Sequence, residues 1–279
     1  MAKRVTTPAG RAADRSEGNP GDAPSLKQRM LSGDLVVGTF LQTPHRVVGE
    51  FVGSLGFDAV CLEAEHSAYG AEHVQQVVAA LALTAARPLV RVADNEWARI
   101  AVALDAGAEG VIVPRVNSAE EARAVARAAL YPPAGDRGIG PGRVTGFGLD
   151  AGPAYRARAN ERNLVGVQVE TRAAVDRVDE IAAADGVDMV FIGPSDLSSS
   201  LALEPGSAEL DAVIARLVER SLAAGKLVGI FAGMPEAAAR WAGEGVRLVL
   251  LASELVFLAR GAAAARQRLA DLVVPRPRE

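Results

Sequence analysis

From about residue 35 the sequence alternates between two apolar patterns. The first is a short run without a polar face: LVVGTF (35–40), AVCLE (59–63), PLVRV (88–92), GVIVPRV (110–116), LVGVQVE (164–170), DMVFIG (188–193), KLVGIFA (226–232) and RLVLLAS (247–253). Runs of this length and β-branched content predict buried strands. The second pattern is Ala-rich with apolar residues at helical spacing, as in EHVQQVVAALALTAA, EWARIAVALDAG, SAEEARAVARAAL, RAAVDRVDEIAAA and SAELDAVIARLVERSLAAG, and several of these stretches close on the Gly that ends helices. Strand and helix in strict alternation predict βα units on a parallel sheet. Eight such units predict an α/β fold of the (β/α)8 TIM-barrel type, as a single domain over residues 26–272. A doubly wound open sheet is the alternative and would normally use fewer strands.

Three stretches leave the rhythm. Residues 1–25 are polar, Gly/Pro-rich and aperiodic, which predicts a disordered leader, and residues 273–279 read as a tail of the same kind. Residues 131–163 separate the fourth helix from the fifth strand, and insertions of that length are usually lids or assembly elements. Their glycines do not make a nucleotide site: no strand precedes them, and neither Gly138-x-Gly140 nor Gly140-x-Gly142 gains the third Gly of the dinucleotide fingerprint.

Composition narrows the class of partner. With 49% hydrophobic and 4% aromatic residues, the core is built from aliphatic side chains. A net charge of −4, with arginines dispersed among acids, lacks the basic stripe of a nucleic-acid protein and leaves a small molecule as the default partner. The lone cysteine, Cys61, permits neither a disulfide framework nor a cysteine metal site within one chain, which fits a reducing cytoplasm. No apolar run approaches the length of a membrane span.

In a barrel of this type the site forms at the carboxyl ends of the strands. There the sequence places Glu63, followed by Glu65 and His66; Arg91; Gln168 and Glu170; and Asp196. Glu170 and Asp196 on one rim would repel, and a hard divalent ion between them relieves this, although either acid could instead cap a helix. His66 has the ordinary pKa closest to neutral and is the candidate base, the alternative being a surface histidine on a loop. Arg91, inside an apolar run, is either a structural ion-pair member or the partner of a developing enolate oxygen. A Schiff-base mechanism needs a lysine at this face, and the chain offers only Lys3, Lys27 and Lys226, the first two in or beside the leader and the third at the opposite end of its strand.

The motifs GFDAVCLEAEH, RPLVRV, LDAGAEGVIVPRV, YPPAGDRGIG, VQVET and VFIGPSDLS, in this order over about residues 30–270, resemble those of the metal-dependent (class II) pyruvate aldolase family, which includes 4-hydroxy-2-oxoheptanedioate aldolase and 2-dehydro-3-deoxyglucarate aldolase. The resemblance implies reversible cleavage of a 4-hydroxy-2-oxo acid to pyruvate and an aldehyde. It implies Glu170 and Asp196 as ligands of Mg²⁺ or Mn²⁺, with Co²⁺ or Zn²⁺ as further candidates. Gln168 would touch substrate, the backbone N–H groups of Ser195 and Asp196 would receive the pyruvate carboxylate, His66 would act as base, and Arg91 would steady the enolate. Asp105 matches an acid that supports the histidine; it ends a helix at the far side of its own barrel, so this role would require a neighbouring subunit. The resemblance further implies a homohexamer that exchanges the terminal helix ELVFLARGAAAARQRLADLV, whose alternative is ordinary packing on the outside of its own barrel.

Two positions depart from the family pattern. Glu63 and Glu254 stand where many relatives carry Asp. The added methylene would displace the first carboxylate by about an ångström, enough to alter substrate scope. Two other readings therefore remain: the same enolate chemistry turned to 2-oxo acid decarboxylation or to citryl- or malyl-thioester cleavage, and a non-catalytic barrel that binds 2-oxo acids.

Overall fold

The structure, a computed structural model, describes residues 23–273. Eight parallel strands close into a barrel in chain order: β1 (Val36–Leu41), β2 (Ala59–Glu63), β3 (Arg87–Arg91), β4 (Gly110–Val113), β5 (Leu164–Val169), β6 (Met189–Ile192), β7 (Leu227–Ala232) and β8 (Leu248–Ser253), with β8 pairing back onto β1. Around them run α2 (Arg46–Gly53), α3 (Ala71–Leu81), α4 (Trp97–Ala106), α5 (Ala119–Ala129), α6 (Pro153–Arg162), α7 (Arg172–Asp176), α8 (Val178–Ala182), α9 (Pro194–Leu201), α10 (Ala208–Ala223), α11 (Pro235–Gly243) and α12 (Glu254–Leu272), preceded by α1 (Leu26–Leu31). The eight expected strands all form, each within one residue of its expected start. Where one helix was expected over RAAVDRVDEIAAA there are two, α7 and α8, meeting at Arg177.

The strands are apolar throughout because both faces are covered. Side chains alternate across a strand. One face of the sheet packs on the helices, and the other fills the barrel, where Phe40, Ala59, Cys61, Leu89, Ile112 and Phe191 meet. α1 lies across the amino-terminal mouth, with Leu26 and Met30 packed onto this interior, each burial stabilising by about 1.5–3 kcal/mol. It is pinned there by Lys27 to Asp188 at 2.7 Å and Arg29 to Asp58 at 2.9 Å. Residues 1–22 of the expected leader and 274–279 of the expected tail lie outside the described residues. Ser25, the last leader position, is buried and caps α1 through a reciprocal pairing with Gln28, so the folded body begins before residue 26.

Inside the barrel, alternation carries the same parity upward. Ala59 and Cys61 point inward and so does Glu63; Leu89 is followed by Arg91; Gly166 is followed by Gln168; Phe191 pairs with Gly229 of β7, whose next inward position is Phe231. The carboxyl-terminal mouth therefore receives polar side chains wherever an inward position falls at the end of a strand.

The 131–163 excursion joins the end of α5 to the start of β5, at the amino-terminal rim. Between those ends the segment packs along α4, with Val144 approaching Gly107 at the end of the helix and Gly138 approaching Trp97 at its start. Among the described residues no helix is long and apolar enough to cross a membrane.

Candidate active site

A cavity of about 300 Å³ opens at the carboxyl-terminal mouth, and Glu63, His66, Arg91, Ser195 and Asp196 line it together. Glu63 is 2% exposed. One of its oxygens, Oε2, is paired with the Arg91 guanidinium, and Oε1 accepts the backbone N–H groups of Glu65 at 2.9 Å and His66 at 3.1 Å. This carboxylate thus fixes the turn that carries the histidine and does not meet the imidazole. The acid nearest the ring is Glu65, with Oε2 3.7 Å from His66 Nε2 and 3.4 Å from Arg91 Nε. The Arg91 guanidinium also lies over the Phe40 ring, 4.6 Å from its centroid.

Burial pushes the Glu65 carboxyl up to about 7, with the charges of Glu170 and Glu63 adding and those of Arg91 and His66 opposing. Glu65 Oε2 and Arg91 Nε are both buried without a hydrogen-bond partner. Sequence reasoning placed Glu65 at this mouth but gave it no role; its position between a histidine and a strand-end acid was the available signal.

Glu170 follows β5 directly. It does not cap the next helix: Thr171 does, accepting from the Ala174 N–H. Glu170 Oε1 accepts the Arg115 N–H at 2.8 Å, and Oε2 is hydrogen-bonded by Gln168 Nε2. Arg115 holds that amide from a left-handed backbone, φ 55°, a conformation of the kind found where a site over-determines it. Burial raises the Glu170 carboxyl above its ordinary range; hydrogen bonds from Gln168 and Arg115 and the charge of Arg91 oppose this, and the neighbouring Asp196 charge adds to it. Asp196 lies in the first turn of α9, where a tight turn was expected; Gly193 occupies the cap, Pro194 opens the helix, and no side chain caps it. Gly193 is required there, since a Cβ would come within 2.9 Å of Glu170 Oε2.

This donor set fits a divalent ion of hard character. The Asp196 charge opposes ionisation of Glu170, a cation beside the two carboxylates would relieve this, and the buried Gln168 Oε1 is left without a hydrogen-bond partner. Among the described residues no cluster of three or more His, Cys, Asp or Glu could hold a metal. An ion here would have two protein carboxylates and keep water or substrate in its other positions.

One expected residue lies elsewhere. Asp105, in the last turn of α4, is paired at 2.6 Å with Arg137 of the excursion, whose side chain is 1% exposed and lies over the Tyr131 ring. Within one chain it does not reach His66. The lysine expectation holds among the described residues: Lys226 Nζ donates to the Val187 carbonyl at 2.8 Å and Lys27 pairs with Asp188, both at the amino-terminal end.

The terminal helix departs from ordinary outside packing. None of the 19 residues of α12 is buried, and Leu258, Leu269 and Leu272 are exposed.

The sequence pattern that defines the HpcH/HpaI aldolase/citrate lyase family matches residues 37–260. A hydroxypyruvate/pyruvate aldolase of Rhizorhabdus wittichii is 40% identical, over 83% of this chain and 92% of its own. A 2-keto-3-deoxy-L-rhamnonate aldolase of Klebsiella pneumoniae is 33% identical, over 80% and 85%. Among solved structures, an HpcH/HpaI aldolase/citrate lyase family protein from Burkholderia cenocepacia superposes with a TM-score of 0.83 at 32% identity, covering 88% of this chain and 98% of that one.

Proposed function

This chain belongs to the HpcH/HpaI aldolase/citrate lyase family and is a carbon–carbon lyase of the aldolase type, and we propose that it reversibly cleaves a 4-hydroxy-2-oxo acid to pyruvate and an aldehyde. The observation that carries this reading is the meeting of His66, Arg91 and Asp196 in one cavity, with Glu170 beside Asp196.

Glu170 and Asp196 would hold a divalent cation, Mg²⁺ or Mn²⁺ by donor chemistry, with Co²⁺ or Zn²⁺ as alternatives. When bound, such an ion supplies Lewis acidity to the oxo acid. The rest belongs to the chain. The first-turn N–H groups of Ser195 and Asp196, at the positive end of α9, receive the carboxylate. Gln168, fully buried, orients Glu170 and presents its carbonyl oxygen to the site. In the synthetic direction His66 takes a proton from the pyruvate methyl, the enolate carbon bonds to the aldehyde carbonyl carbon, and the resulting alkoxide takes a proton. Cleavage is the reverse. Arg91, held by Glu63 and with Nε making no hydrogen bond although it faces Glu65, donates to the oxygen on which negative charge develops.

We also place the protein in a homo-oligomer, a hexamer by family resemblance, in which the uncovered α12 packs on a neighbouring copy and Asp105 supports that copy's His66. A cytoplasmic location suits the free, buried Cys61 thiol.

The test is exchange of the pyruvate methyl protons in D₂O, followed by NMR with the acceptor omitted. Exchange that is abolished by EDTA, restored by Mg²⁺ or Mn²⁺ and lost in His66→Asn supports the reading; exchange indifferent to the chelator overturns it.

A further inference from the structure

The mouth of the barrel divides into three arcs of different chemistry. The β5–β6 arc is acidic, carrying Glu170 and Asp196 with the N-terminus of α9. The β2–β3 arc carries His66 and Arg91. These two hold the oxo acid in the reading above. What remains is the β7–β8–β1 arc, where Phe231, Val256 and Phe40 form an apolar wall, the two rings 5.9 Å apart and tilted.

One polar edge breaks that wall. Ser253 Oγ donates to Gln42 Oε1 at 2.8 Å, which leaves the Gln42 amide nitrogen to donate into the cavity. Its backbone is fixed: Glu254, in the first turn of α12, accepts the N–H groups of Gln42 at 3.0 Å and Thr43 at 2.7 Å. Among the described residues that line the cavity, Arg91 is the one permanent cation, and Glu63 and Glu65 both claim it. A second carboxylate on the acceptor would be desolvated against Phe231 and Val256, within reach of the field of Glu254, while Arg91, which lies over the Phe40 ring, is already engaged by Glu63 and Glu65. A hydroxyl or an alkyl chain meets no such obstacle.

We propose, resting on the aldolase reading, that the acceptor is a short uncharged aldehyde, seated on Phe40, Phe231 and Val256, with any hydroxyl it carries bonded by the Gln42 amide. The site then discriminates against aldehydes that bear a carboxylate.

Rates of addition to pyruvate by the full chain, supplied with Mg²⁺ or Mn²⁺, test this with pairs of equal carbon count: butanal against 4-oxobutanoate, and acetaldehyde against glyoxylate. The expected kcat/KM is at least tenfold higher for the uncharged member of each pair. Pyruvate methyl exchange in D₂O is measured alongside. Equal or reversed preference with exchange intact overturns the inference and leaves the aldolase reading standing; absence of exchange overturns that reading and the inference with it. Val256→Arg, which sets a cation on the arc, is expected to narrow the butanal to 4-oxobutanoate ratio at least fivefold. A ratio unmoved in a folded variant overturns the seating on this arc.

Discussion

Glu63 and Arg91, the last residues of adjacent strands β2 and β3, face each other across a parallel register and form a buried ion pair at the mouth of the barrel. The second oxygen of the same carboxylate holds the turn that carries His66. The Glu63 side chain thus reaches both Arg91 and that turn.

Removing one partner leaves the other as an uncompensated buried charge. Glu63→Ala is expected to cost about 3–5 kcal/mol, a fall in Tm on the order of 10 °C, read by thermal denaturation. Glu63→Gln keeps an acceptor for the two backbone N–H groups but removes the same charge, so it is expected to lose most of that stability as well, and at least about tenfold in kcat, since Arg91 is no longer paired. A Gln variant as stable as the wild type would show that the charge pair is not what Glu63 supplies.

Glu170→Gln separates binding from folding. Burial and the Asp196 charge disfavour the ionised carboxyl, so replacing it with a neutral amide is expected to raise the Tm of the metal-free chain. The same change is expected to abolish stabilisation by added Mn²⁺. Calorimetry with Mn²⁺ and melting with EDTA measure both effects.

Glu65 gives a pH signature. Its folded carboxyl sits at about 7, above the ordinary carboxylate range, so between roughly pH 4.5 and 7 the folded chain retains a proton that the unfolded chain releases. Stability from this group is full below that window and is lost as pH rises through it. Melting of the metal-free protein across pH 4.5–7 should show that decline, and Glu65→Gln should flatten it.

Covalent amine chemistry predicts an adduct, and the lysine positions predict none. Treatment with borohydride in the presence of pyruvate should leave intact mass and activity unchanged. A mass gain matching reduced pyruvate on any lysine would exclude the mechanism proposed above.

The lattice of strands and helices was legible because each element states its own period: a strand buried on both faces must be apolar throughout, and a helix against it must repeat at 3.6 residues. The same rule placed Glu63, Arg91, Gln168 and Glu170 at the catalytic mouth, since they end strands in the chain itself. What local pattern could not state is who meets whom. That Glu63 takes Arg91 rather than the imidazole, that Glu65 is the acid beside His66, and that Arg115 secures Glu170 from 55 residues away are set by which strand ends become neighbours when the barrel closes. Likewise the glycines of the excursion carried no sign of Arg137 buried against Asp105, and the apolar positions of α12 did not reveal that its own barrel leaves them uncovered. Periodicity is a property of one segment and its solvent; pairing and burial belong to surfaces brought together from distant parts of the chain, and only the closed structure decides them.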